Sequence, residues 1–162
     1  MQLTITKSTQ RSMGVCTPNM YAFDGGHDPQ QASHEALRQI REQLTRHPVI
    51  TSVEGLPHDT VYKEIRADVD PSAIGTETPS GTLTVRWFVG DPTDPARFTF
   101  HYSDESGFDC GWHHHEQDHV DGFGHYQKRD GGNYVYEAFQ FGSKEPARVV
   151  WEVLEELQTI VE

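Results

Sequence analysis

Histidines are concentrated in one short stretch of this chain. Five of its ten histidines fall between residues 113 and 125, namely His113, His114, His115, His119 and His125. Imidazole exchanges protons near neutral pH and is a common ligand of zinc and other divalent metals. The stretch is therefore where the sequence concentrates its chemistry, which is either acid–base catalysis or metal binding.

The strands around this stretch determine which way the histidines face. The turn signal Glu105-Ser-Gly107 predicts a β-hairpin, because glycine suits the left-handed position of a three-residue loop. This loop aligns Phe100 with Trp112. In the same register Tyr102 meets Cys110, so that large apolar groups share the core face. The opposite face then carries Arg97, Thr99, His101, His113 and His115.

This polar face is suited to cleaving RNA without a metal or other cofactor. One histidine would take the proton of the 2′-hydroxyl, a second would protonate the leaving oxygen, and arginine would stabilise the charge on phosphate. We expect His113 and His119 to be the acid and base. The candidate catalytic residues are His113, His119, His125, Arg97 and Arg129, and the candidate substrate-binding residues are His101, His115 and Tyr126.

The alternative function is that of a metal-binding protein or a non-catalytic partner-binding protein, and a zinc site is the main chemical alternative. Cys110, His113, His119 and His125 offer four nitrogen or sulfur ligands, the number and kind that tetrahedral zinc prefers. Their spacing matches no paired zinc motif. Side chains alternate along a strand, so that His115 can converge with His113 while His114 is turned away.

The composition is that of an acidic protein. Asp and Glu number 25 against 13 Lys and Arg, which gives a formal net charge of −12. Such a surface repels nucleic acid unless salt screens it or local arginine and histidine offset it. The lysine-poor, acidic balance is typical of halophilic archaea, whose cytoplasm supplies that screening, with an acidic mesophile as the alternative.

Cysteine use and hydropathy bear on the compartment. The two cysteines, Cys16 and Cys110, lie far apart and indicate no disulfide framework. No apolar run approaches the roughly 18 residues that a membrane span requires. We therefore expect a soluble cytoplasmic protein without a membrane partner.

The patterning predicts one α+β domain over residues 1–162. Residues 1–27 are predicted to be an irregular lead-in, with at most a short strand at Leu3–Thr6. One helix should begin after Asp28 and end before Pro48, and another should follow Ser143. Between them we expect an antiparallel sheet of about four to five strands, on which both helices pack. His119 and His125 are predicted to lie in a loop.

The run from Arg97 to Gln127 resembles haloarchaeal proteins related to the TumE-type toxins. The shared features are a strand, a turn, a histidine-rich segment and a closing helix in the same order, and the toxin-like part covers residues 80–162. The resemblance implies the toxin of a two-gene toxin–antitoxin module, with a helix-turn-helix antitoxin as partner and RNA as substrate.

The histidines that the resemblance carries over are His113, His114, His119 and His125. One segment departs from the bacterial pattern: Cys110-Gly-Trp-His113 stands where the bacterial proteins have an Asn-Ala-Pro-His type segment.

Overall fold

A computed structural model of the protein describes residues 26–161. Its elements are α1 (Pro29–Arg46), β1 (Ile50–Leu56), β2 (Glu64–Val69), a 3-10 helix (Pro71–Ile74), β3 (Gly81–Phe88), β4 (Arg97–Asp104), β5 (Asp109–His114), β6 (Gly124–Asp130), β7 (Asn133–Ala138) and α2 (Pro146–Val161). The lead-in predicted for residues 1–27, with its strand at Leu3–Thr6, lies outside the described residues except for Gly26 and His27.

The seven strands form one antiparallel sheet, in which each strand pairs with the next along the chain. The α+β class predicted from the sequence is confirmed, and the expected four to five strands undercount the sheet. The undercount arises because polar strands such as β6 lack the apolar alternation on which strand prediction depends.

The two helices contribute to one hydrophobic core. The Asp28 carboxylate caps α1 by accepting the backbone N–H of Gln30 at 3.0 Å and that of Gln31 at 3.4 Å. α1 packs on β1, β2 and β3 and against α2. The buried residues of α1 are Ser33, Ala36, Leu37, Ile40 and Leu44, and those of α2 are Val149, Val150, Val153, Leu154 and Leu157.

Alternation along the central strands supplies the rest of the core. The side chains that β3, β4 and β5 bury on this face are Leu83, Val85, Trp87, Phe98, Phe100, Tyr102, Cys110, Trp112 and His114. Trp87 stacks on Phe98 with ring centroids 4.1 Å apart. Because this face is filled with apolar groups, the polar side chains of the same strands must lie on the other face.

The predicted hairpin between β4 and β5 is confirmed in its register. Phe100 pairs with Trp112, and Tyr102 pairs with Cys110. Gly107 adopts the left-handed conformation, with φ at 88°. The polar face that carries His101 and His113 therefore exists as expected.

The segment around His125 is not the loop that the sequence predicted. Gly124–Asp130 forms β6, which pairs with β5 on one side and with β7 on the other. Its residues are polar on both faces, so that neither an apolar stripe nor a clean alternation marks the strand. The two flanking strands hold it in place through backbone hydrogen bonds.

Candidate metal centre

Three histidines converge on the sheet face opposite the helices. His113 lies in β5 and pairs directly with His125 of β6. His115 follows the end of β5, where its backbone N–H donates to the Phe123 carbonyl at 2.9 Å. The three side chains each offer a ring nitrogen, and these nitrogens all lie within 4.8 Å of one another. Strand alternation and cross-strand pairing together bring the three residues into one cluster.

The spacing of the rings fits a single metal ion. His113 Nδ1 lies 3.2 Å from His115 Nε2, which is a hydrogen bond between the two rings in the metal-free protein. Two nitrogens that each lie about 2.0–2.1 Å from a tetrahedral zinc ion are about 3.3 Å apart, so the observed separation matches that of two ligands. The ring centroid of His125 is 5.0 Å from those of both His113 and His115.

His125 supplies a second observation that bears on ligand binding. Its side chain is fully buried, and neither ring nitrogen has a hydrogen-bond partner among the described residues. An unsatisfied buried polar group costs about 1–3 kcal/mol, and native proteins contain few of them. A metal ion bound among the three rings would satisfy one of these nitrogens.

The electrostatic environment keeps two of these rings neutral. Burial, followed by repulsion from His125, His115 and His101, lowers the pKa of His113 to about 3. Burial, and then repulsion from His115, also lowers the pKa of His125. Neutral imidazole is the form that binds metals, whereas a general acid must carry a proton at the working pH. The site therefore favours metal binding over a role for His113 as the acid.

The surrounding backbone orients the cluster. His115 Nδ1 lies 2.9 Å from the Glu116 carbonyl oxygen. A carbonyl only accepts, so this nitrogen carries the proton and leaves Nε2 free to bind a metal. Gly111 leaves room for the neighbouring ring, because a Cβ at that position would lie 2.7 Å from His113 Nε2.

A histidine–carboxylate pair lies beside the cluster. His101 Nε2 is 2.9 Å from the Asp109 carboxylate, and the His101 and His113 ring centroids are 6.4 Å apart. Asp109 also accepts a hydrogen bond from the Tyr134 hydroxyl at 3.3 Å, and it lies 4.0 Å from the Arg129 guanidinium. This network holds a half-buried imidazole next to the three converging rings.

The remaining predicted site residues on the open face are not part of the three-histidine cluster. His119 is exposed in the loop before β6, with its ring centroid 5.9 Å from that of Tyr136, which in turn lies 6.1 Å from His125. Arg97 begins β4 and lines a cavity together with His115. Arg129 is four residues along β6 from His125, or about 13 Å.

Three other residues face the core. Cys110 is fully buried there, and burial raises the pKa of its thiol to about 12. Tyr126 packs on Trp112 with ring centroids 5.2 Å apart, away from the face on which it was expected to bind substrate. His114 is buried against Phe98, as the expected alternation requires, with Nδ1 2.7 Å from the Ala96 carbonyl oxygen.

The converging set thus differs from the four zinc ligands suggested by the sequence. The structure brings His113 and His125 together, adds His115, and leaves His119 outside the group. Cys110 lies on the opposite side of β5, because residues an odd number of positions apart on a strand face opposite ways. The signal for His115 was already in the sequence, since it shares a face with His113.

Comparison of the chain with known protein families found no matching family, and comparisons with curated proteins and with solved structures found no significant match. Within residues 26–161, neither helix is long and apolar enough to cross a membrane.

Proposed function

We propose that the protein binds one zinc ion, or a similar divalent transition metal, through His113, His115 and His125, and that the centre serves metal-dependent hydrolysis. The observation that carries the proposal is the convergence of three ring nitrogens, where the buried His125 has no hydrogen-bond partner among residues 26–161. Antiparallel pairing of β5 with β6 preorganises this arrangement, so little reorganisation is needed for binding.

The number of ligands favours a catalytic over a structural role. Structural zinc sites have four protein ligands, whereas catalytic sites have three and keep one position open. The converging group contains three histidines and no fourth ligand from the part of the chain that the structure describes. Zinc bound in this way supplies Lewis acidity to whatever occupies the open position.

The His101–Asp109 pair supports the hydrolytic part of the proposal. A carboxylate that accepts a hydrogen bond from one imidazole nitrogen fixes the orientation of the ring and leaves the other nitrogen available for proton transfer. His101 is about one-third exposed, with a side-chain accessibility of 32%. It is thus open to solvent and placed beside the metal ligands.

Zinc titration of the metal-free protein tests the metal site. We expect one zinc per chain by calorimetry, and an affinity at least 100-fold weaker in His125→Ala. His58→Ala is the matched control, because His58 is exposed in the loop after β1 and should leave the affinity unchanged. An unaltered affinity in His125→Ala would show that zinc binds elsewhere.

Metal-independent RNA cleavage by a toxin of a toxin–antitoxin module is the second candidate. It is supported by the exposed His119 and by His101, which Asp109 orients on the same face. This candidate function includes a cytoplasmic location, a halophilic source and a helix-turn-helix antitoxin as partner. RNA cleavage that persists in EDTA and disappears in His119→Ala would support it over the metal-dependent function.

A further inference from the structure

We propose that the cavity beside the metal centre binds an oxyanion, either a carboxylate or a phosphate, that is attached to an apolar body. That this ligand is a substrate rests on the proposed function, whereas its binding does not. The binding site itself is formed by residues outside the three histidines.

The cavity is large enough for a small molecule and adjoins the centre. Its volume is about 990 Å³, and it lies between the start of α1, the end of β3 and the start of β4. His115 and Thr99 are among its lining residues, and Thr99 pairs directly with His113. Small-molecule sites typically measure about 300–1,000 Å³. A ligand in this cavity would therefore lie beside the proposed metal ligands.

Cations are concentrated in the cavity although the chain as a whole is acidic. Its lining contains Lys63, Arg86 and Arg97 against the carboxylates of Asp28 and Glu116. Arg86 is paired with Glu64, so that Lys63 and Arg97 balance the two carboxylates of the lining, whereas Asp and Glu outnumber Lys and Arg by 25 to 13 in the chain as a whole. A basic side chain that is not already paired with a carboxylate attracts an anionic ligand.

Two of the three cations remain available for a ligand. Arg86 is committed to Glu64, at 2.9 Å. Among residues 26–161, Arg97 and Lys63 have no carboxylate within 4.0 Å. A guanidinium group binds carboxylate and phosphate through paired N–H donors, so Arg97 is the principal anion-binding group that we assign.

Aromatic side chains supply the apolar half of the site. Trp87, Phe88 and Phe98 line the cavity, and 54% of Phe88 is exposed to solvent. An exposed aromatic side chain at the rim of a cavity offers a surface on which an apolar body can pack. Together with Arg97 it defines a ligand with an anionic group and an apolar part.

Binding of three small probes to the full chain tests the assignment. Phenyl phosphate and benzoate each carry an oxyanion on a ring, and benzyl alcohol is the neutral analogue. By calorimetry on metal-free protein, we expect at least one of the two anions to bind at least tenfold more tightly than benzyl alcohol. Their relative affinities then show whether phosphate or carboxylate is preferred.

Variants locate the binding and keep the test falsifiable. Arg97→Gln should weaken anion binding at least tenfold, whereas Arg38→Gln, on an exposed arginine of α1 paired with Glu35, should not. Lys63→Gln provides a second variant that should weaken binding if Arg97→Gln fails to fold. Equal affinity for benzyl alcohol, no anion binding, or anion affinities unchanged by the cavity variants would overturn the proposal.

The two proposals fail in different ways. Anion binding that depends on Arg97, in a protein that takes up no zinc, would retain the cavity site and refute the metal centre. Zinc uptake that depends on His125, without selective anion binding, would retain the metal centre and refute the cavity site.

Discussion

His125 is the residue at which burial and chemistry conflict most sharply. Its imidazole is fully buried, and neither nitrogen has a hydrogen-bond partner in the part of the chain that the structure describes, which destabilises a fold unless something else binds the ring. Its ring lies beside two further histidines, His113 and His115, with centroids 5.0 Å away. We infer that a bound ligand offsets the cost of burying this imidazole. Zinc is the ligand that three converging imidazoles suit best.

Gly111 should control the position of His113. In Gly111→Ala the new Cβ would lie 2.7 Å from His113 Nε2 and 3.0 Å from His101 Nδ1, so that at least one ring must move. We expect zinc affinity to fall about tenfold, because a misplaced ligand loses most of its bond to the metal. Calorimetric titration measures the effect.

Gly132→Ala is the control for this change, since nothing lies within 4 Å of a Cβ there. Equal zinc affinities in the two variants would contradict the proposed packing of Gly111 against the ligand.

The low pKa of His113 predicts an acid-sensitive metal-free protein. The unfolded chain takes up this proton below about pH 6.5, its usual pKa, whereas the folded chain does so only near pH 3. The free energy of unfolding should therefore fall as the pH falls between these values, by up to about 1.4 kcal/mol per pH unit.

Urea denaturation in EDTA at pH 7.5, 6 and 5 measures this dependence. His113→Gln removes the titrating group and should give a shallower decline than the parent protein. Identical declines in both proteins would show that His113 does not titrate as its burial implies.

The sequence was sufficient to place some site residues but not their partners. Alternation along β5 put His113 and His115 on one face and Cys110 on the other, so the predicted register already argued against Cys110 as a ligand. The contact between His113 and His125 was not predictable in the same way. It depends on β6, whose residues carry no periodic apolar signal.

At the scale of elements, the hairpin of β4 and β5 was predictable because three independent signals agreed. Alternating aromatics, a glycine-containing turn and a favourable cross-strand register all indicate the same pairing. Of these three signals, β6 has only the glycine-containing turn, which is formed by the two glycines that follow Asp130; Gly131 has a φ of 62°. A strand that is specified mainly by its neighbours is visible only once those neighbours are placed.

The turn between β4 and β5 should affect stability without affecting metal binding. Gly107 has a φ of 88°, and a β-branched residue is strained there. We expect Gly107→Val to lower the free energy of unfolding by about 1–3 kcal/mol. Urea denaturation of the metal-free protein measures this loss.

Zinc affinity in the same variant checks where the centre lies. The turn is at the opposite end of β5 from His113, so the affinity should match that of the parent protein. A large loss of zinc affinity in folded Gly107→Val would contradict the placement of the centre at the His113 end of β5.

At the scale of the whole molecule, the net charge of −12 is the dominant electrostatic feature. Several ion pairs, such as Arg38–Glu35 and Arg148–Glu145, are highly exposed, and such pairs contribute little. Self-repulsion of the acidic surface therefore remains largely uncompensated by them. The concentration of cations around one cavity contrasts with this background.

Salt should stabilise the folded chain. The screening length falls from about 10 Å at 0.1 M salt to about 3 Å at 1 M, which weakens repulsion between carboxylates. We expect Tm to rise between 0.1 and 1 M NaCl, as followed by circular dichroism. The double variant Glu155→Gln, Glu156→Gln carries less negative charge and should show a smaller rise, whereas an equal or larger rise would rule out charge repulsion as the cause.

The X-ray absorption spectrum of the zinc-loaded protein tests the three-histidine centre most directly. We predict three nitrogen ligands from imidazole at about 2.0–2.1 Å, a further light-atom ligand and no sulfur, with the imidazole signal diminished in His125→Ala. A zinc–sulfur distance of about 2.3 Å would instead implicate a cysteine, Cys16 or Cys110, and failure of the protein to retain zinc would contradict the centre altogether.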